Sequence, residues 1–118
     1  MQPKRILIAE DEDSLAKILR NNLNKANYIT HISQDGAEAL AELKQNHYDL
    51  VLLDLLMPKT DGWEVLTQLK GKGLKIIVLS NLSQDEDIKK AKELGAVDFW
   101  VKSDIPISDI VEKVKLLI

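Results

Sequence analysis

Short apolar runs alternate along the chain with segments in which apolar residues recur every three or four positions. The short runs are each followed by polar residues, which is typical of strands buried in a parallel sheet. The longer segments carry one apolar face, as amphipathic helices do. The alternation predicts five strand–helix units, with strands at residues 5–9, 28–33, 49–53, 75–79 and 97–101.

The first two helices are predicted from apolar spacing and a start signal. Residues 13–25 form the first, with an inward face made by Leu15, Ile18, Leu19 and Leu23. Asp35 followed by Glu38 is a capping-box pattern that predicts the start of the second helix. Its inward residues are expected to be Ala39, Leu40 and Leu43.

The remaining helices carry similar signals at their ends. Asp61 is the predicted N-cap of a third helix over residues 62–69. Ser83 with Glu86 predicts a second capping box, and the fourth helix that it opens should stop at Gly95. A fifth helix should have Pro106 as its first residue. Its buried stripe is expected to be Ile110, Val111, Val114 and Leu117.

Five consecutive βα units predict an α/β fold with a parallel sheet wound on both faces, a three-layer sandwich. The length of 118 residues suits one domain, over residues 1–118. Five strands favour the flavodoxin-like order 2-1-3-4-5, in which strands 1 and 3 are neighbours. Glu10, Asp11 and Asp54, which follow those two strands, should then lie together in one crevice.

Composition excludes several classes of function. The chain has a net charge of −3 and no basic face, so we expect no direct contact with nucleic acid. It contains no cysteine, which excludes thiolate metal sites. No apolar stretch approaches the ~20 residues of a membrane span. We therefore expect a cytoplasmic protein without a membrane partner.

Polar side chains follow the predicted strands at the edge where parallel strands end. Three acids, Glu10, Asp11 and Asp54, repel one another there, and such a cluster is typical of a bound cation. Oxygen ligands without histidine or cysteine favour a hard ion, Mg²⁺ above all. The alternative for Glu10 and Asp11 is a solvated acidic turn at a helix start.

Ser80 and Lys102 follow the fourth and fifth strands at the same edge. Each has an ordinary alternative, as a turn hydroxyl and as a lysine lying along the sheet. Together with a metal, they supply the positive charge and the hydrogen-bond donor that phosphoryl transfer requires. Asp54 would attack phosphorus in line while Lys102 and the metal neutralise the phosphoryl oxygens and Ser80 bonds the transferred group.

The chain resembles the receiver domain of two-component response regulators over essentially its whole length. The matching residues are Glu10-Asp11, Asp54 in Asp-Leu-Leu-Met-Pro, Asp61-Gly62, Ser80 and Lys102. The resemblance implies a phosphoryl-accepting switch rather than an enzyme. Asp54 would receive its phosphoryl group from the phosphohistidine of a sensor histidine kinase or from a phosphotransfer protein.

The resemblance also implies a ligand set and a conformational response. Mg²⁺ would be held by Asp11, Asp54 and the backbone carbonyl of Leu56, with Glu10 acting through water. Phosphorylation would draw Ser80 inward and turn Phe99, changing the face of the fourth helix, fifth strand and fifth helix. A monomer, or a weak homodimer through that face, is implied; the output partner and the cognate kinase are not.

Four positions depart from the pattern of that family. Ser103 follows Lys102 where relatives have a proline that is commonly cis, and Asn81 replaces a small residue beside the phosphoryl pocket. Phe99 stands where tyrosine is commoner, and Glu10 where aspartate is. Because a cis bond before serine costs about 2.5–4 kcal/mol, we expect the Lys102–Ser103 peptide to be trans.

Two leucines bear on how long a phosphoryl group would persist. In this family the residues two after the aspartate and two after the Ser/Thr flank the path of an attacking water. Here they are Leu56 and Leu82, which cannot orient a water by hydrogen bonding. With the added bulk of Asn81, they predict slow autodephosphorylation.

Three other functions were compared with this one. A haloacid-dehalogenase phosphatase also uses a strand-end aspartate, but Leu56 stands where its second acid is required. A flavin nucleotide binder shares the fold, but the acidic residues 10–13 would repel its phosphate. The third alternative is a receiver fold that serves only as an interaction module and is not phosphorylated. Asn81 crowding the pocket would favour it, whereas the presence of all five matching features argues against it. The chain ends at Ile118, where a fifth helix should end, which fits either a stand-alone receiver or the N-terminal piece of a longer regulator, and we slightly favour the first.

Overall fold

Five parallel strands form the centre of the molecule. The computed structural model describes residues 2–118, with strands β1 Arg5–Ala9, β2 Ile29–Ser33, β3 Leu50–Leu53, β4 Ile76–Ser80 and β5 Asp98–Val101. Their order in the sheet is β2-β1-β3-β4-β5, and every neighbouring pair is parallel. The predicted topology is confirmed, and each strand begins and ends within one residue of its predicted position.

Helices cover both faces of this sheet. They are α1 Asp13–Lys25, α2 Gly36–Gln45, α3 Gly62–Leu69, α4 Asp85–Glu93 and α5 Ile107–Leu117. Two apolar clusters lie between the helices and the sheet, one under α2, α3 and α4 and the other under α1 and α5. The three-layer sandwich is thus confirmed. Within residues 2–118, no helix is both long and apolar enough to span a membrane.

Two helix starts are as predicted and two are not. Asp35 accepts a hydrogen bond from the Glu38 N–H at 2.8 Å, and Asp61 accepts one from the Glu64 N–H at 3.0 Å. The capping box predicted from Ser83 and Glu86 is wrong, because the N-cap of α4 is Gln84 and it makes no side-chain cap bond. Pro106 is the N-cap of α5 and not its first helical residue, since its ψ of 152° is extended.

The apolar faces of α1 and α5 show how well helical spacing predicts burial. In α5 the predicted stripe is correct: Ile110 and Val114 are buried, and Val111 and Leu117 pack partly buried against the same cluster. In α1 Leu19 and Leu23 are buried, but Ile18 is 47% exposed and Ala16 takes the inward position. The prediction for Ile18 was wrong because helix spacing of three or four also fits a neighbouring, outward face.

Helix α4 is less deeply embedded than α1, α3 and α5. Its one fully buried side chain is the small Ala91, with Ile88 and Leu94 packed partly buried against the cluster. Its contact with α3 includes the Lys90 ammonium, which lies 4.4 Å from the ring centroid of Trp63. As predicted, the helix ends before Gly95, whose φ of 106° suits glycine.

Gly62 sets how closely α3 approaches the end of β3. A Cβ at this position would lie 2.4 Å from the carbonyl oxygen of Asp54 and 2.5 Å from the Cα of Leu55. These are backbone atoms, which cannot rotate away as a flexible side chain can. The start of α3 therefore packs directly on the backbone that carries Asp54, and glycine permits it.

We expect Gly62→Ala to lower the free energy of unfolding by about 1–3 kcal/mol, the usual cost of overpacking. An unhindered glycine-to-alanine change inside a helix would instead stabilise by about 0.5–1 kcal/mol, so the sign of the effect identifies the contact. Urea unfolding midpoints measure it. Gln68→Ala, on the exposed face of the same helix, is the control and should change stability by less than about 0.5 kcal/mol. A Gly62→Ala variant as stable as the parent would contradict this account.

Candidate functional site

The site lies where β1, β3, β4 and β5 end at one edge of the sheet. Ala9 pairs with Leu53 in the register of β1 and β3, so the residues that follow, Glu10 and Asp54, stand side by side. The Asp54 N–H donates to the Ala9 carbonyl oxygen at 3.0 Å, which continues the ladder to the acid itself. This crevice between β1 and β3 is the switch point of the strand order, where open α/β sheets bind ligands.

Three predicted carboxylates meet in this crevice. Glu10, Asp11 and Asp54 each offer one carboxylate oxygen, and these oxygens lie within 4.8 Å of one another. Two ligands on opposite sides of one Mg²⁺ ion, each at about 2.1 Å, are about 4.2 Å apart, so a small side-chain movement would bring the oxygens to bonding distance. Glu10 and Asp54 are buried while Asp11 is exposed, which leaves the cluster open to solvent on one side.

Lys102 supplies the positive charge among these acids. Its Nζ is 2.5 Å from Glu10 Oε1 and donates to Asp54 Oδ2 at 3.0 Å. The two carboxylates are 3% and 5% exposed at their side chains, so both would be costly to bury without this partner. Because β5 is separated from β3 by β4, the lysine reaches across the end of β4 to make these contacts.

Burial and pairing act in opposite directions on the ionisation of this group. Burial raises the pKa of Glu10 to about 7, although hydrogen bonds from Lys102 and from the Glu12 N–H act to lower it. Burial acts to lower the pKa of Lys102, but its hydrogen bonds to Glu10 and Asp54 outweigh that effect and the pKa is raised. The ammonium therefore stays charged at neutral pH, as a partner for buried carboxylates must.

The carboxylate of Asp54 is oriented from both sides. Its Oδ1 accepts from the Leu56 N–H at 3.2 Å, and its Oδ2 accepts from Lys102 Nζ. The Leu56 side chain is 56% exposed at the mouth of the crevice, whereas Leu82 packs partly buried against the cluster under α2, α3 and α4. Their predicted effect on water access stays a prediction.

The two predicted switch residues are both inside the molecule. Ser80 is fully buried at the end of β4, and its hydroxyl oxygen accepts from the Leu82 N–H at 3.4 Å. Phe99 on β5 is 8% exposed and belongs to the cluster under α2, α3 and α4. Ser80 is thus brought to the same strand edge as the acids, one strand beyond Asp54.

The segment after Lys102 has three structural features. Its peptide bond to Ser103 is trans, as expected from the cost of a cis bond before serine. Residues Lys102–Asp104 form a turn of 3₁₀ helix, which was not predicted. The Ser103 N–H donates to Asn81 Oδ1 at 3.1 Å, so the amide oxygen of Asn81 is engaged with this turn.

Sequence reasoning missed two contacts of the site. It placed Lys102 near Asp54 but did not anticipate that the same ammonium also pairs with Glu10. It treated Asn81 as bulk beside the pocket and did not anticipate its bond to Ser103. Nothing in residue type or spacing signals either contact, because each depends on the distance between loops that are far apart in the sequence.

Comparison with known proteins identifies the family. Residues 6–115 match the family model of the response regulator receiver domain. The chain belongs to this family. Receiver domains are signalling switches and not classical enzymes, and this membership decides against the phosphatase and flavin-binding alternatives.

This chain is similar to transcriptional regulators and to solved receiver domains. It is 42% identical to ycf27 of Porphyridium aerugineum, a probable transcriptional regulator, over 90% of this chain and 45% of that protein. It is 37% identical to the regulatory protein PhoP of Bacillus subtilis, over 87% of this chain and 44% of that protein. The chain therefore spans about half the length of these relatives.

One relative has been solved in complex with Mg²⁺. The response regulator TrrA of Thermotoga maritima, whose structure is a complex with Mg²⁺ and a beryllium fluoride, is 34% identical to this chain. The TM-score is 0.84, and the match covers 98% of this chain and 99% of that one. The fold and the acidic crevice are thus those of a family that includes a protein solved with Mg²⁺.

Removal of the lysine should expose the cost of burying the acids. In metal-free buffer at pH 7.5 we expect Lys102→Met to lower the free energy of unfolding by about 3–5 kcal/mol, the usual cost of removing one partner of a buried ion pair. The deficit should shrink at pH 5, because Glu10, whose pKa burial raises to about 7, is then protonated and no longer needs a cation.

Urea unfolding of both proteins at the two pH values measures this difference. Lys17→Met is the control, since the Lys17 ammonium is 2.9 Å from Asp13 and both side chains are more than half exposed. That surface pair should contribute no more than about 1 kcal/mol at either pH. A deficit for Lys102→Met that is absent at pH 7.5, or that grows as the pH falls, would refute the compensating role of Lys102.

Proposed function

We propose that this receiver domain is a phosphoryl-accepting switch with Asp54 as the acceptor. The observation that carries the proposal is the orientation of the Asp54 carboxylate by the Leu56 N–H and Lys102 Nζ beside two further acids. An Asp54 oxygen forms a bond to phosphorus as the bond from phosphorus to the donor atom breaks. The electron pair of that broken bond leaves with the donor, a histidine ring nitrogen or an acetate oxygen.

We infer that Mg²⁺ is the cation of the site. Its ligands would be Asp11, Asp54 and the backbone carbonyl of Leu56, with Glu10 acting through water, and the oxygen-only donor set of the crevice fits such an ion. When bound, Mg²⁺ neutralises negative charge on the phosphoryl oxygens. Lys102 would exchange part of its contact with Asp54 for a phosphoryl oxygen, which keeps its ammonium paired throughout.

The response to phosphorylation is proposed to run through Ser80 and Phe99. The Ser80 hydroxyl would leave the Leu82 N–H and donate to the phosphoryl group, which moves the end of β4 toward Asp54. Phe99, on the adjacent strand β5, would move with it. The face formed by α4, β5 and α5 would thereby change its shape, and we propose that it is where an output partner or a second copy binds.

The proposed partner upstream is a sensor histidine kinase or a phosphotransfer protein. Downstream, the regulators to which the chain is similar act in transcription and are about twice as long. We therefore propose that this receiver controls an output partner or output domain, with the DNA contacts lying outside residues 1–118. The cytoplasmic location and the weak homodimer stay predictions from the sequence.

Incubation with acetyl phosphate and Mg²⁺ should add one phosphoryl group per chain, on Asp54. The product is an acyl phosphate, so hydroxylamine should remove it, and Asp54→Ala should abolish it. Asp85→Ala, which removes an exposed acid in α4, is the control and should be modified as the parent is. Intact-protein and peptide mass spectrometry give the result. A phosphoryl group on Ser80 or His47 would overturn the assignment, and no modification would favour an interaction module.

Mg²⁺ should raise the thermal unfolding midpoint, because it relieves repulsion among the acids. Asp11→Asn should shrink this shift and raise the stability of the metal-free protein. Asp13→Asn makes the same change of charge two residues away, where Asp13 pairs with Lys17 on the surface of α1, and it should leave the Mg²⁺ shift intact. An undiminished shift in Asp11→Asn would mean that the ligand set is wrong.

Loss of the phosphoryl group from Asp54 should be slow, since Leu56 and Leu82 cannot orient an attacking water. After removal of the donor, the variant with Leu56→Asn and Leu82→Glu should decay faster than the parent. Leu82 is partly buried, so its substitution disturbs packing as well. Leu56→Asn alone avoids that effect, because the Leu56 side chain is exposed. Equal or slower decay in both variants would show that the leucines do not shield the phosphorus.

A further inference from the structure

A side-chain hydrogen bond joins two loops of the site that are 22 residues apart in the sequence. The Ser103 N–H donates to Asn81 Oδ1 at 3.1 Å. Asn81 directly follows Ser80, and Ser103 directly follows Lys102. Because Ser80 pairs with Val101 in the register of β4 and β5, Asn81 stands level with Lys102 and bonds one residue beyond it. The bond therefore ties the loop of the hydroxyl to the turn of the lysine.

The bond depends on residue type at both of its ends. An alanine at position 81 would have no acceptor, and a proline at position 103 would have no N–H to donate. The side chain of Ser103 takes no part, since the donor is its backbone nitrogen. The pair is therefore complementary in a specific way: each residue supplies what the other needs, and the loss of either removes the bond.

Apart from the ion pairs that Lys102 makes with Glu10 and Asp54, little else holds the turn that begins at this lysine. Residues Lys102–Asp104 include no buried side chain, and Ser103 and Asp104 are exposed. The lysine side chain itself is long and carries about 2 kcal/mol of rotamer entropy, so its reach is defined only as well as its backbone is held. A contact that fixes the neighbouring peptide therefore fixes the point from which Lys102 extends to Glu10 and Asp54.

We propose that Asn81 is a positioning residue for Lys102, acting through the backbone N–H of Ser103. The proposal rests on the proposed function for its consequence, which is that Lys102 is held where it can pair with the phosphoryl group on Asp54. Asn81 adjoins Ser80 as well, so a shift of the end of β4 toward Asp54 carries the turn of Lys102 with it. Both side chains that would contact the phosphoryl oxygens thus move together.

The phosphorylation rate tests this role with three variants and a matched control. Asn81→Ala removes the acceptor, Ser103→Pro removes the donor, and the double variant removes both, whereas Ser103→Ala keeps the N–H. In the reaction with acetyl phosphate, Asp54 bonds phosphorus and acetate leaves. At saturating Mg²⁺ we expect the first two variants to react about three- to tenfold more slowly, the effect of one lost hydrogen bond. Ser103→Ala should react as the parent does.

The double variant distinguishes one shared interaction from two separate defects. Since both substitutions remove the same bond, the double variant should be no slower than the slower single variant. The apparent Mg²⁺ affinity should be unchanged in all four variants, because none of them touches the proposed ligands. Additive losses, or a fall in Mg²⁺ affinity that accounts for the slower rate, would overturn the positioning role. A faster Asn81→Ala would overturn it too and assign Asn81 to obstruction of the pocket.

A measurement without any phosphodonor separates this inference from the proposed function. The side-chain nitrogen resonance of Lys102 reports its contact with Glu10 and Asp54 in the unphosphorylated protein. It should shift in Asn81→Ala and in Ser103→Pro and stay in place in Ser103→Ala. If the shifts occur but Asp54 is never phosphorylated, the proposed function fails and the positioning role stands. If the parent is phosphorylated and neither readout differs in Asn81→Ala, the positioning role fails.

Discussion

The buried ammonium of Lys102 is the interaction on which the arrangement of the site depends. Two carboxylates, Glu10 and Asp54, end neighbouring strands and are almost wholly removed from water. Their carboxylate oxygens lie within 4.8 Å of each other, and like charges at that distance repel by about 3 kcal/mol at an effective dielectric constant near 20. Lys102 offsets this repulsion because its ammonium contacts both carboxylates. The ends of β1, β3 and β5 are therefore linked by electrostatics as well as by the backbone ladder.

The same constraint explains why the site needs a cation before it can accept an anion. Three acids with one lysine leave an excess of negative charge, and Asp11 lies on the solvent side of the cluster. A divalent cation would balance that excess before a phosphoryl group arrives, and Lys102 would then be shared between carboxylate and phosphoryl oxygens. The chemistry thus follows from charge balance at one edge of a sheet, with no need for a general base.

Sequence patterns predicted the features that depend on local rules. Strand ends predicted the meeting of Glu10 and Asp54, because parallel strands finish at one edge whatever the helices do. The caps at Asp35 and Asp61 were predictable because each bonds a backbone N–H three residues away. Ser83 was a misleading signal, since three acids in the first turn of α4 favour the helix start at Gln84 without a side-chain cap.

What sequence could not predict depends on distances set by packing. Helical spacing allowed Ile18 to face the sheet, but in the assembled fold Ala16 is fully buried and Ile18 is 47% exposed. The contacts of Lys102 with Glu10 and of Asn81 with Ser103 join segments whose separation in space is fixed only once five strands are assembled. Residue identity made these contacts possible, and the tertiary structure selected them.

The small buried apolar area of α4 bears on how the proposed phosphorylation would change the face formed by α4, β5 and α5. With Ala91 as its one fully buried side chain and a cation–π contact to Trp63, this helix has little apolar area to lose when it shifts. Local rearrangement of such an element costs much less free energy than global unfolding. One charge-assisted hydrogen bond is worth about 1.5–3 kcal/mol, which is the scale of a local rearrangement rather than of global unfolding. The bond proposed at Ser80 would therefore be large enough to shift α4, whereas α1, with Ala16, Leu19 and Leu23 buried, has more apolar contact to lose.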